Sequence, residues 1–225
     1  MALRNIQLII YGLDGTLVDS FRDIHACVSE AMVQCGLAPP PFVIVKSHVG
    51  DGARALIRRC LGPQHADRFD AVYPAYREIY RAHPTRYARL YPGVMETLRT
   101  FRERGLRQAI LTNKPDDATQ VACRELGLTP LMEVVQGECE GRPRKPDPES
   151  LRAVARRIGV DPARCLMVGD GPADYDVARA AGAPMAGVTY GFLTREATLA
   201  RQPDWVLDRF DALLDGVGTE GLAEQ

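Results

Sequence analysis

Apolar and polar positions change rhythm twice along the chain. Ile6 to Tyr11 is a short apolar run rich in β-branched residues, the pattern of a strand buried on both faces of a parallel sheet. It stops at Gly12-Leu13-Asp14-Gly15-Thr16, where glycines allow a tight turn and a carboxylate and a hydroxyl emerge together. Helical spacing then takes over. Ile24, Val28, Ala31 and Met32 predict a helix over Asp19–Cys35, with Asp19 and Ser20 as capping candidates and Gly36 closing it. Pro39-Pro40-Pro41 forces an extended link. Val49–Ile57 reads as a Gly-rich turn opening a helix, and Phe69, Val72, Tyr76 and Ile79 stripe another over Asp67–Arg81.

Beyond a linker bracketed by Pro84 and Pro92, predicted strands and helices alternate. Helices are expected over 94–104, 116–126, 148–158 and 173–181, stopped by Gly105, Gly127, Gly159 and Gly182. Strands are expected over 107–111, 132–136, 165–168, 185–188 and 205–207. Alternation with short loops implies βαβ units, hence an α/β fold with a doubly wound, mostly parallel sheet. The expected organisation is an α/β core over 1–18 and 85–225, with an all-helical block, 19–84, inserted after the first strand. The Gly-rich tail after Asp215 is expected to fray.

Composition narrows the function classes. The net charge is −1 and the pI about 6.4, so there is no electrostatic footprint for nucleic acid. No apolar run approaches the roughly 18–20 residues that cross a bilayer. Six cysteines without C-x-x-C spacing read as free thiols. The first residues show no signal-peptide cleavage pattern, and the expected compartment is the cytoplasm. Monomer and dimer both stay open.

Four polar clusters fall just past predicted strand ends: Asp14 with Thr16; Thr112-Asn113-Lys114-Pro115; Arg144-Lys145-Pro146-Asp147-Pro148; and Gly169-Asp170-Gly171-Pro172-Ala173-Asp174. In a parallel sheet such loops converge on one edge. Thr112 and Asn113 can donate to anionic oxygens, Lys145 supplies a positive charge, and Asp14, Asp170 and Asp174 are hard oxygen ligands suited to Mg²⁺. Singly, Asn113 reads as a turn residue, Lys145 as a solvated lysine and the aspartates as helix caps. All four clusters together, each at a strand's carboxyl end, point to a phosphate site.

The order LDGTLVDS, TNKP, RKPDP, GDxxxD resembles the haloacid dehalogenase superfamily of phosphohydrolases, and the helical block resembles its cap domain. VGDGARAL, LYPGVMETL, AILTNKP, RKPDPESL and GVTYGF are similar to phosphoglycolate phosphatases, and the likeness covers nearly the whole chain. The resemblance implies Mg²⁺-dependent hydrolysis of a small phosphorylated metabolite, with 2-phosphoglycolate the leading candidate. By the same resemblance Asp14 is the acid/base with its carbonyl on the metal, and Thr112, Asn113 and Thr16 hold the phosphoryl group. Lys145 neutralises it, Asp170 ligates Mg²⁺, and Asp174 orients Lys145 or supports the metal shell. Gly50 and Arg54 match the cap segment that closes over the substrate.

One position departs from the pattern. Gly12 stands where the family's first motif places its nucleophilic aspartate, and glycine can neither attack phosphorus nor ligate a metal. Three explanations are open: a natural ligand-binding pseudo-phosphatase, an inactivated substrate-trapping variant, or residual hydrolysis by direct water attack with Asp14 as base. A mutase or dehalogenase on this scaffold needs the same missing carboxylate. A phosphonate hydrolase needs a cap lysine, for which only Lys46 is present.

Overall fold

The structure, a computed structural model, describes residues 5–217; the expected fraying of the tail beyond them lies outside that range. The chain enters through β1 (Leu8–Tyr11) and leaves the sheet through a short β2 (Val18–Asp19). Four helices follow: α1 (Phe21–Gln34), α2 (Phe42–His48), α3 (Gly52–Leu61) and α4 (Phe69–Ala82). It returns through β3 (Arg89–Leu90), antiparallel to β2, so a two-strand ribbon brackets the helical insert. Asp23, buried on α1, accepts the main-chain N–H of Tyr87 and pins this return.

The remainder is α5 (Val94–Glu103), β4 (Arg107–Pro115), α6 (Asp116–Glu125), β5 (Val134–Glu138), α7 (Pro148–Ile158), β6 (Cys165–Gly169), α8 (Pro172–Ala181), β7 (Met185–Val188), α9 (Arg195–Ala200), β8 (Trp205–Leu207) and α10 (Leu213–Gly216). Six strands form one parallel sheet in the order β5-β4-β1-β6-β7-β8. Alternation within β1 sends Ile9 and Tyr11 into one core with Leu98 and Phe101 of α5. Leu8 and Ile10 enter a second core with Leu151 and Val154 of α7. The strand is buried on both faces, which is why it reads as a continuous apolar run. The helical insert has its own apolar cluster around Val28, Ile57, Val72 and Tyr76, each side chain worth about 1.5–3 kcal/mol of burial.

Three local expectations need correction. The Pro-rich link ends in a helix, α2, that has no amphipathic stripe to announce it: Phe42, Val43 and Ile44 are exposed and only Val45 is buried. Ser20 does not cap α1, because its hydroxyl donates to Asp14 instead, at 2.6 Å. Finally, β4 does not stop at Leu111 but runs to Pro115, its register against β5 slipping between those two residues. The polar Thr112-Asn113-Lys114 thus belongs to the end of a strand, where a register irregularity re-aims side chains.

Candidate active site

A cavity of about 230 Å³ opens where the carboxyl ends of β1, β4 and β6 meet the helical insert. Gly12, Asp14, Thr112, Asn113, Lys145, Asp170 and Asp174 line it from the sheet, and Gly50 from the insert. The convergence follows from topology, since β4, β1 and β6 are neighbours and their following loops emerge on one edge.

Each carboxylate has a distinct environment. Asp174, at the start of α8, receives the buried Lys145 ammonium on Oδ1 and the Gly171 N–H, 3.0 Å, on Oδ2. The contact with Lys145 is the one expected of a residue that orients it. Asp170 accepts the Thr16 hydroxyl on Oδ1 at 2.9 Å and the Phe192 N–H on Oδ2 at 3.0 Å. Gly15, at φ +81°, lets the first loop pass close against it; a Cβ there would lie 2.2 Å from Asp170 Oδ2. Burial first, and then the neighbouring Asp174 charge, push the Asp170 carboxyl up to about 7. Asp14 accepts from Ser20 and from the Lys114 ammonium, 3.0 Å to Oδ1 and 3.4 Å to Oδ2.

The phosphate-binding set is rearranged relative to expectation. Thr112 Oγ1 accepts the Lys114 N–H at 3.2 Å, which leaves its own proton free for an anionic oxygen. Asn113 is occupied elsewhere: its amide donates to the carbonyls of Lys145 at 2.9 Å and Gly50 at 3.3 Å, tying strand to insert. Its buried Oδ1 has no partner. Thr16 sits behind Asp170 rather than on the cavity wall. Arg54 is not brought to the cavity; its guanidinium lies over the rings of Phe69 and Tyr73.

Gly12 is buried at the end of β1, donating to the Val168 carbonyl at 2.8 Å. A Cβ at this position would point toward Thr16 Oγ1, 2.7 Å away, and Asp174 Oδ1, 3.7 Å away. The Thr16 hydroxyl thus occupies space that a side chain at position 12 needs. The residues that sequence reasoning missed are Lys114, Ser20 and Tyr80. Lys114 carried no signal of its own, because its inward direction depends on β4 continuing past Leu111.

Among the described residues, no three His, Cys, Asp or Glu side chains group to hold a metal ion. Two of the three aspartates already face lysines. Asp170 alone of the three has no ammonium in contact, its oxygens accepting the Thr16 hydroxyl and the Phe192 N–H. Of the three aspartates, Asp170 is the one that would hold Mg²⁺, and a bound phosphate would have to complete its ligand set.

Comparison with known proteins places this geometry. A family model of haloacid dehalogenase-like hydrolases matches residues 6–182. The chain belongs to the haloacid dehalogenase-like hydrolase family. A phosphoglycolate phosphatase of Pseudomonas putida is 34% identical over 215 residues, spanning 93% of this chain and 79% of that protein. One from Neisseria meningitidis is 32% identical, spanning 100% of this chain and 99% of that protein. The crystal structure of a predicted phosphoglycolate phosphatase from Haemophilus somnus superposes with a TM-score of 0.88 at 28% identity, covering 95% of this chain and 98% of that one. Within this hydrolase family the chain is of the phosphomonoesterase kind, and its doubly wound sheet is the family's fold. No helix among the described residues is long and apolar enough to cross a membrane.

Proposed function

We propose that this hydrolase-family chain takes a small phosphomonoester of the 2-phosphoglycolate kind into the cavity and, having Gly12, hydrolyses it without an aspartyl-phosphate. The observation that carries the reading is the absence of any side chain at position 12 in an otherwise assembled site. A volume of about 230 Å³ is smaller than the ~300–1,000 Å³ pockets that take drug-sized ligands, and suits a metabolite of few heavy atoms. Lys145, fixed by Asp174, neutralises the phosphoryl group, and Thr112 donates its hydroxyl proton. Water is then the only nucleophile: Asp14 accepts its proton as the new P–O bond forms and passes that proton to the ester oxygen as the old P–O bond breaks, so the leaving group departs as the alcohol. Magnesium, held by Asp170 together with the phosphate, supplies charge neutralisation when bound.

Without covalent catalysis most of the rate enhancement is gone, leaving what binding and electrostatics supply. A second reading, a protein that only holds its phosphorylated ligand, draws on Asp14 being engaged by both Ser20 and Lys114. Calorimetric titration with inorganic phosphate tests the common part of both. Binding should weaken at least tenfold in Lys145→Met, and equal binding in the two proteins would overturn the site assignment.

A further inference from the structure

Lys114 stands out as a buried cation that the reaction above does not use. Its side chain is 2% exposed, its ammonium contacts both oxygens of Asp14, and a third contact is the hydroxyl of Tyr80, whose ring centroid is 4.4 Å away. Tyr80 belongs to α4 of the helical insert, Lys114 to the last turn of strand in the sheet, and Asp14 to the loop after β1. The contact therefore crosses from the insert to the acid/base position through one ammonium group.

We propose that Lys114 and Tyr80 are positioning residues that make the orientation of the Asp14 carboxylate conditional on α4 being seated against the sheet. This rests on the reading of Asp14 as the group that handles water's proton. An ammonium has three donors, and here the Asp14 carboxylate and the Tyr80 hydroxyl take them. Remove the hydroxyl and one N–H of an ammonium whose side chain is only 2% exposed loses its protein partner, so the ammonium must move. Asp14 then keeps only Ser20 to direct it. The burial of Tyr80 holds its phenol well above the ordinary range, so it stays neutral and accepts from Lys114. The same strand end is tied to the insert a second time, through the Asn113 amide on the Gly50 carbonyl. One turn earlier on α4, Arg77 pairs with Asp117 of α6 at 2.8 Å. Seating of α4 is thus felt at β4, and through Lys114 at Asp14.

Tyr80→Phe is the clean test, because it keeps the ring stacked on Tyr76 at 5.4 Å and deletes only the hydroxyl. In the native chain the Lys114 ammonium should give a slowly exchanging ¹⁵N–H signal; in Tyr80→Phe that signal should be lost, with Tm changed by no more than about 5 °C. In a Gly12→Asp background hydrolysing 2-phosphoglycolate, Tyr80→Phe should lower kcat at least tenfold with KM within twofold. Adding Lys114→Arg, whose guanidinium donates without the phenol, should recover part of the loss. An unchanged ammonium signal, an unchanged kcat, or kcat and KM moving together would overturn the proposal. If Gly12→Asp hydrolyses nothing, the proposed function fails, and the ammonium signal alone still decides whether the pair exists.

Discussion

Two lysine–aspartate pairs face the same cavity and differ in what holds them. Lys145 and Asp174 both come from the sheet side, both side chains are nearly sealed (6% and 7% exposed), and Gly171 fixes the second carboxylate oxygen. Lys114 and Asp14 also sit at strand ends, but Asp14 is 15% exposed, and the pair is held from the two ends of the helical insert, Ser20 donating to Asp14 and Tyr80 accepting from Lys114. The first pair is a feature of the core alone. The second depends on a packing arrangement that can be broken without unfolding the core. On the proposed reading, the core alone fixes the lysine that meets the phosphate, whereas the carboxylate that handles water's proton is held partly by the insert.

Cutting the first pair should have the largest effect. Lys145→Met leaves Asp174 buried and uncompensated, and should cost about 3–5 kcal/mol in denaturant unfolding besides phosphate affinity. If Lys114→Met costs as much, the two pairs are equally structural and the contrast collapses.

Asp170, on the same cavity wall, sharpens the comparison through pH. Its folded pKa, about 7, lies above the ordinary 3.8, so the folded state binds more protons across that interval. The stability it contributes is present below about pH 4 and lost as pH rises to about 7, with little further change above. Urea unfolding at pH 4.5 and 7.5 should show this slope, and Asp170→Asn should flatten it. An equal slope in both proteins would assign the protons elsewhere.

Magnesium offers a smaller contrast. With only one carboxylate of the site, Asp170, not paired to a lysine, Mg²⁺ alone should bind at least tenfold more weakly (~1.4 kcal/mol) than in saturating phosphate, by calorimetry. Equal affinities would mean a complete protein site.

The smallest effect belongs to the solvent-side tie between α4 and α6. Arg77 and Asp117 are both more than a third exposed, so Arg77→Ala should change stability by less than about 1 kcal/mol. A larger loss would mean that α4 is held from outside rather than through Tyr80.

The sheet and the four site loops were legible because the central strands β1, β4, β6 and β7 are buried on both faces and end abruptly in glycine or polar residues. Asp14, Lys145 and Asp174 announced themselves in this way. What could not be read was long-range. Lys114 reaches Asp14 across 100 positions of chain, and only the extension of β4 past Leu111 turns its side chain inward. Ser20 looked like a helix cap because its neighbours form a helix, yet the closer acceptor was Asp14. Arg54 sat in a cap-like motif, but the rings of Phe69 and Tyr73 on its own helical layer claimed it. The exposed apolar face of α2 had no periodicity to read.

The central claim is that the missing side chain at position 12, not a defective pocket, limits this chain. The direct measurement is phosphate release from 2-phosphoglycolate by this chain and by Gly12→Asp, side by side. Installing the carboxylate requires the Thr16 hydroxyl to turn away from Asp170, at a stability cost of about 1 kcal/mol. The account predicts that Gly12→Asp nevertheless turns over at least about 10³-fold faster. Equal rates in the two proteins would contradict it.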